Sequence, residues 1–353
     1  MSEIVTIQEA AKILDVNPET LRRWDKNGKF KGFRHPINNY RVYKREDVYG
    51  LRTKMNGSVK SKESTYITPF FNTQYGHLYK GDVLEVLSTI ESESVDLVFA
   101  DPPYNIKKAK WDVFSSQDEY LDWCLSWIEE CHRILKPNGT IYICGFSEIL
   151  ADIKWISKHL FFSCRWLVWF YRNKANLGKD WGRSHESILV LRKSKDFIFN
   201  IDEVRIPYNE HTTKYPKRTQ AASSQYSQGT IPYEWEPNPL GAKPKDVLEI
   251  PTISNGAWEK FPHATQKPVE LLRKVILSSS NSDSVILDPF GGSGTTYAVS
   301  EAYSRKWIGI EREEEYCKVI LERLSDKRHL ERIFSSQDEI ESQKRRLQLR
   351  ENR

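Results

Sequence analysis

The sequence predicts an α/β protein, a sheet of alternating strands and helices, behind a small helical module at the N-terminus. Three observations carry this. From Tyr75 onward, short apolar runs alternate with stretches of helical period. Two of the apolar runs, Val95 to Ala100 and Ser284 to Leu287, pass directly into Asp-Pro, at the carboxyl edge where such sheets hold ligands. Residues 52–74 are polar and without period, which sets the first 51 residues apart as a separate unit joined by a linker.

With 353 residues, 39% hydrophobic and 29% charged, the chain has material for two globular units and is not a disordered polymer. Its longest apolar run, Phe161 to Phe170, is broken by Ser163, Cys164 and Arg165 and is too short to cross a bilayer. Glu3, Glu9 and Lys12 interrupt the start, so no signal segment is expected. Five cysteines (Cys124, Cys131, Cys144, Cys164, Cys317) with no C-x-x-C pair argue against a disulfide framework and a cysteine metal site. The expectation is a soluble cytoplasmic protein with no metal and no membrane partner. The net charge of +5 is uneven: residues 1–60 hold 13 basic and 7 acidic side chains, so the rest is nearly neutral. A basic excess at one end is the footprint of a nucleic-acid partner. Eleven tryptophans and seventeen tyrosines serve cores first, and base stacking where they are exposed.

In the first module, Ala10, Ala11 and Leu14 give a helix over Ile7 to Leu14, and Asp15 to Asn17 a turn. Pro18 opens a second helix after Asn17 as cap; Leu21 and Trp24 form its buried side, leaving Arg22, Arg23 and Lys26 for the other. Gly28 and Gly32 end it. Phe33-Arg34 and Tyr40 to Tyr43 read as two short strands around a tip at Pro36 to Asn39. Helix, turn, helix and wing is a DNA-reading layout. Residues 4–50 resemble the winged helix-turn-helix of the MerR and excisionase type, with DNA contacts expected at Arg22, Arg23, Lys26, Arg34 and Arg41.

Beyond the linker, His77 to Lys80 reads as a strand, Val83 to Ile90 as a helix and Val95 to Ala100 as a buried strand. A long helix runs from Ser116 to Leu135, Pro137-Asn138-Gly139 makes a turn, and Thr140 to Cys144 is the next strand. Trp166 to Tyr171 and Ser187 to Leu191 form two more. From Lys193 to Phe261 periodicity fades, and Pro, Tyr, Ser and Lys dominate; an irregular segment of that length is expected to have a task. Then follow a helix (Pro268 to Leu277), the strand Ser284 to Leu287, a glycine-rich turn, a helix (Thr295 to Glu301) and the strand Lys306 to Ile310. The charged end, Arg312 to Arg353, reads as helical, with 326–353 a tail that is a solvated helix or a phosphate contact.

Two motifs carry chemistry. In Asp101-Pro102-Pro103-Tyr104-Asn105 the prolines stiffen the chain, so a carboxylate, a carbonyl and an aromatic ring keep fixed relative positions. A carboxylate and a carbonyl accept both protons of an exocyclic NH2, while the ring stacks on the base that carries it. In Asp288-Pro289-Phe290-Gly291-Gly292-Ser293-Gly294-Thr295-Thr296 the glycines admit close approach of a ligand. No G-K-[ST] follows, so this is no phosphate loop. The acid at its head favours a cationic ligand, and Glu311 ends the next strand, the place of a ribose-binding carboxylate.

Together these motifs resemble those of the exocyclic-amino DNA methyltransferases, over roughly residues 75–325. Thr265-Gln266-Lys267-Pro268, Gly81-Asp82 and Gly182 to Glu186 fit the same pattern. The catalytic motif precedes the cofactor loop, which is the permuted β class, with 193–261 resembling its target-recognition region. The resemblance implies the seven-stranded, Rossmann-like methyltransferase sheet, with the Glu311 strand beside the His77 strand. It also implies S-adenosylmethionine as cofactor, held by Asp82, Asp101, Thr265, Gln266, Lys267, Asp288, Phe290, Gly291, Gly292, Ser293, Gly294, Thr295 and Glu311. Asp101, Pro102, Pro103 and Tyr104 are then catalytic on a base flipped out of double-stranded DNA, which Lys214, Lys217 and Arg218 also contact.

Asp in the first catalytic position goes mostly with adenine N6 in that family and Ser mostly with cytosine N4, so N6 is expected and N4 is the alternative. The resemblance further implies the modification half of a restriction-modification system, with a cognate endonuclease as partner. It sets no oligomeric state. His185 is read as structural, and Cys124 and Cys144 as core. The rival from another class is a DNA-binding regulator that uses the N-terminal module, with methylation secondary.

Overall fold

The computed structural model describes residues 4–14, 16, 18–26, 28–36, 40–57, 67–106, 112–172, 179, 181–216, 218–220 and 233–335 (backbone only at 19, 53–57, 218–220 and 233). Two compact units divide the chain, Met1–Tyr66 and Ile67–Arg353.

In the first unit, strand β1 (Ile4–Thr6) leads into helices α1 (Ile7–Leu14) and α2 (Pro18–Lys26), strands β2 (Phe33–Arg34) and β3 (Arg41–Lys44), and helix α3 (Arg45–Gly57). Thr6 and Glu9 cap α1 reciprocally: the Glu9 N–H donates to Thr6 Oγ1 (3.2 Å) and the Thr6 N–H to Glu9 Oε2 (2.8 Å). The strands form an antiparallel sheet in the order β1-β3-β2. Ala10, Ala11, Leu14, Leu21, Tyr43 and Val48 make its core. Neither β1 nor α3 was expected, and α3 corrects the linker. Val48 anchors α3 in the core, with Leu51 packed one turn on, and the helix then runs on to Gly57 through mostly polar residues, with Met55 too isolated to show an apolar period in the sequence. The cap at Asn17 and the tip at 37–39 lie outside the described residues.

The second unit opens with β4 (Phe71–Asn72), β5 (Gly76–Lys80), α4 (Val83–Leu87) and β6 (Val95–Ala100). It continues with α5 (Gln117–Ile134), β7 (Leu135–Gly145), α6 (Ser147–Ser157), β8 (Ser163–Phe170) and β9 (His185–Arg192). Then come α7 (Glu210–Lys214), a hairpin of β10 (Arg218–Gln220) and β11 (Tyr233–Trp235), and β12 (Val247–Glu249). Helix α8 (Val269–Ser279), β13 (Val285–Asp288), α9 (Thr295–Ala302), β14 (Lys306–Glu311) and α10 (Glu314–Ser325) complete the named elements. Nine strands form one sheet in the order β12-β8-β9-β7-β6-β13-β14-β5-β4. The inner seven are the expected sheet, and β12 and β4 are edge additions. Strand β14 lies parallel to β5, with Ile308 opposite His77, as the permuted order requires.

All six residues of β6 are buried, because helices cover both faces. Leu97 and Phe99 join a core with α8, α9 and α10, while Val95, Val98 and Ala100 join one with α4, α5 and α6. Strand β6 has β7 on one side and β13 on the other, both parallel. The chain order reverses there, which opens a crevice at the carboxyl ends of β6 and β13.

Several expectations need correction. Helix α4 stops at Leu87, three residues early. Pro137-Asn138-Gly139 is an irregularity inside an eleven-residue strand, since Val95 pairs Leu135 while Leu97 already pairs Thr140. Helix α6 was unforeseen. The segment 193–261 contributes a 3-10 turn (Ile201–Val204), α7, the hairpin, and β12, which joins β8 in parallel. Part of the linker is also ordered, because Phe71 and Asn72 pair with Leu78 and His77.

The tail needs the same revision up to residue 335. Residues 327–335 are helical, His329 is buried and Ile333 is fully buried in the α8–α10 core. The remainder, 336–353, lies outside the described residues. Ile333→Ala is therefore expected to destabilise the fold by about 2–5 kcal/mol, a core truncation cost that a solvated tail would not show; urea unfolding measures it. Among the described residues no helix is long and apolar enough to cross a membrane, and no cluster of side chains is arranged to hold a metal.

Candidate active site

A cavity of about 420 Å³ opens at the carboxyl edge of β6, β13 and β14. Asp82, Asp101 to Tyr104, Thr265 to Lys267, Asp288, Phe290 to Ser293, Thr295 and Glu311 all line it. Of the residues expected to meet cofactor or base, Gly294 is the exception. It sits at the N-cap of α9 with φ +71°, where its left-handed backbone turns the loop into the helix.

The segment after β6 is held from below. Tyr120 of α5 donates its hydroxyl to the Pro103 carbonyl (2.8 Å). Asn105 has φ +56°, and the buried Asp112 carboxylate accepts the N–H groups of Asn105 (2.6 Å) and Ile106 (3.2 Å). These bonds fix Tyr104, whose ring packs edge-on against Phe146 (5.1 Å). Its hydroxyl donates to Asp101 Oδ1 (2.6 Å) and also lies 3.2 Å from Glu186 Oε2. Lys267 Nζ donates to Asp101 Oδ2 (2.6 Å) and lies 3.5 Å from Glu186. Burial alone would push the Lys267 ammonium down, but Asp101 and Glu186 outweigh it and raise its pKa.

The loop after β13 follows from its glycines. Gly292 has φ +51°, and its N–H donates to Glu311 Oε2 (2.8 Å), while the Glu313 N–H donates to Oε1 (2.8 Å). Burial raises the Glu311 pKa, and these bonds oppose it. Asp288 accepts from the Phe290 N–H (3.0 Å) and the Thr296 hydroxyl. Burial dominates there and pushes its pKa up to about 8. With Phe290 against Trp123 and Trp127, the cavity pairs an aromatic wall with two carboxylates at neighbouring strand ends. A ligand with a flat ring, hydroxyls and a cationic end fits that donor set.

The Asp288 shift gives a prediction. Its folded pKa lies above the unfolded value near 3.9, so the neutral carboxyl is the form the fold prefers. That contribution is fully present below about pH 4 and is lost as pH rises through 8. Asp288→Asn lacks the titration. In thermal melts without ligand, its stability relative to wild type should grow between pH 5 and pH 9, by on the order of a few kcal/mol.

Sequence reasoning missed two groups. Glu186 appeared only as the end of a matching segment, although a charged residue entering the buried run Ser187 to Leu191 was a visible signal. Arg323 gave no signal, being one cation in a charged helix. It is fully buried and donates through Nη1 to the Ser293 carbonyl (3.1 Å) and Thr295 Oγ1 (2.9 Å), and through Nε to His329 (3.1 Å). Burial pulls its pKa down to about 9. A cation under the loop thus braces the cavity floor.

The expected DNA contacts divide between the two units. Arg22 and Lys26 on α2 and Arg34 on β2 are exposed, while Arg23 is half-buried. Arg41 is not a free wing residue: its Nε pairs with Asp25 (2.7 Å), which also accepts the Gly32 N–H (2.9 Å) and so ties the wing to α2. In the second unit Lys214 is exposed at the end of α7, and Arg218 lies in β10. Lys217 and the Arg218 side chain lie outside the described residues. His185 sits in β9 opposite Phe170, and Cys124 and Cys144 are buried core residues.

Comparison with known proteins agrees with this geometry. Residues 95–322 match the DNA methylase family of N6/N4 methyltransferases, and residues 6–43 match the MerR family of regulatory proteins. The DNA adenine methyltransferase YhdJ of Escherichia coli (strain K12) is 36% identical over 265 residues, 73% of this chain and 86% of that protein. The type II methyltransferase M.HpaI of Haemophilus parainfluenzae is 33% identical over 270 residues, 75% of this chain and 77% of that protein. In structure the chain is similar to the PvuII DNA methyltransferase (cytosine-N4-specific), with a TM-score of 0.56 and 22% identity, covering 76% of this chain and 96% of that one, a likeness of fold. The chain belongs to the N6/N4 DNA methylase family.

Proposed function

We propose that this protein transfers the methyl group of S-adenosylmethionine to the N6 amino group of an adenine flipped out of duplex DNA at a specific sequence. The observation that carries it is Asp101 at the cavity edge, followed by Pro102 and by Tyr104, whose ring is held in place. When bound, the cofactor would supply an electrophilic methyl group; the amino nitrogen would bond to it with its lone pair, the S–C bond would break with its electrons left on sulfur, and the surplus N–H proton would pass to solvent. Asp101 and the Pro102 carbonyl accept the amino hydrogens, which keeps the lone pair out of the ring, and Tyr104 stacks on the base. Glu311 takes the ribose hydroxyls, and Asp288 and the glycine loop take the amino acid end. Alignment at near-attack distance supplies much of the rate.

The adenine reading is supported by Asp in the first position and by the name of the E. coli relative. The modification role is supported by relatives named type II methyltransferases. Methyl transfer from labelled S-adenosylmethionine to unmethylated genomic DNA, followed by nucleoside analysis, tests the reaction and the base. N6-methyladenine supports the reading, N4-methylcytosine replaces the base, and no methylated base overturns it.

The first unit adds DNA affinity through Arg22 and Lys26, a role that the MerR match supports. Arg22→Ala with Lys26→Ala should weaken DNA binding at 100 mM salt about tenfold or more and lower the slope of log affinity against log salt by about 2, one per phosphate contact removed. Fluorescence anisotropy across a salt series reads both. An unchanged slope would remove α2 from the DNA interface.

A further inference from the structure

Asp101 is the acceptor that the target amino group needs, yet both of its oxygens are already engaged. Tyr104 donates to Oδ1 and Lys267 to Oδ2, each at 2.6 Å. The Lys267 side chain is 6% exposed, so its ammonium relies on neighbouring carboxylates more than on water. A buried cation released without a second anion is strongly disfavoured. Glu186 is placed to be that anion: Oε2 lies 3.5 Å from Lys267 Nζ and 3.2 Å from the Tyr104 hydroxyl.

We infer that Glu186 is a positioning residue for methyl transfer, the alternative counter-ion that takes Lys267 and Tyr104 when Asp101 turns to the amino group of the target base. This rests on the methyltransferase reading and adds a residue to its site. The required movement is small. A shift of about 0.7 Å in Nζ brings the Lys267–Glu186 pair to the usual length of a charge-assisted hydrogen bond. One oxygen serves both donors, so a single carboxylate replaces Asp101 for the pair.

The backbone confines the change to side-chain ends. Glu186 is opposite Trp169 of β8, and its neighbour Ser187 is opposite Gly145 of β7, so β9 is held on both sides. Lys267 precedes Pro268, and its carbonyl accepts from Thr295 Oγ1 (3.0 Å). The rings of Tyr104 (5.7 Å) and Trp169 (6.0 Å) flank the ammonium and favour a cation throughout the movement. Two carboxylates and one ammonium leave one net negative charge, facing the nitrogen that becomes positive as the methyl group arrives.

The test compares wild type, Glu186→Gln and Glu186→Asp in the full chain, using labelled S-adenosylmethionine and unmethylated genomic DNA with enzyme in excess. Glu186→Gln leaves Lys267 paired with Asp101, so the fold is kept. Its single-turnover rate should fall about 30-fold or more, with cofactor affinity by equilibrium dialysis within about threefold of wild type. Glu186→Asp should recover at least a third of the logarithmic loss. A wild-type rate in Glu186→Gln overturns the inference. So does a loss matched by lost cofactor binding and not restored by aspartate, which is structural damage. A wild type that methylates nothing overturns the underlying reading, and the inference with it.

Discussion

Asp101→Ala is expected to reduce methyl transfer by about 10³-fold while the protein stays folded. Removing a preorganised group that stabilises developing charge costs about 10²–10³ in rate. Asp101 carries more than one such duty. It accepts an amino hydrogen, and it supplies most of the counter-charge to Lys267, which lies 2.6 Å from it against 3.5 Å from Glu186. In the alanine variant Lys267 falls to Glu186, so the buried cation keeps a partner and the fold survives. The loss should therefore appear in turnover, not in the melting temperature. Single-turnover methylation, with equilibrium dialysis for cofactor binding, separates the two. A tenfold loss or less would show that the Pro102 carbonyl suffices and that Asp101 is not the principal acceptor.

Lys267→Met should do the opposite and unsettle the fold. It leaves Asp101 and Glu186 with no cation between them in a largely enclosed site. Removing one member of a buried ion pair costs about 3–5 kcal/mol. In a protein of this size that lowers the melting temperature by about 4–8 °C. The penalty comes from charge, since without Lys267 the two carboxylates repel. Adding Glu186→Gln to Lys267→Met removes that repulsion, so the double variant should melt higher than Lys267→Met alone. No recovery in thermal melts would mean that lost packing of the lysine stem, not charge, is responsible.

Much of the site was legible because its pieces are local. Asp101 and Asp288 both follow runs of buried β residues, and prolines and glycines beside them announce a chain that leaves the sheet in a set conformation. Helix α5 was legible from its Ser116 cap, whose hydroxyl accepts the Glu119 N–H, and from its apolar stripe. Helix α6 was not, since it begins after Phe146 without a side-chain cap and follows a strand with no intervening turn signal. The hairpin and β12 within 193–261 are strands of three residues each, too short to establish an alternation. Strand β12 exists because β8 offers it an edge to pair with.

The α/β class, the two motifs and their order can be read along the chain, because strand period, breakers and caps act within a few residues of the groups they place. Tertiary structure alone decided which charges meet. Asp101 and Lys267 are 166 residues apart, and Glu186 lies between them in the chain. They converge because β9 runs antiparallel to β7, which brings its first residues to the carboxyl edge of β6. Arg323 bonds under the Ser293–Thr295 loop for the same kind of reason, since α10 packs back on α9 and β14. Sheet order and helix packing are global solutions to burying apolar faces, so the electrostatic partners they create leave no local pattern to read.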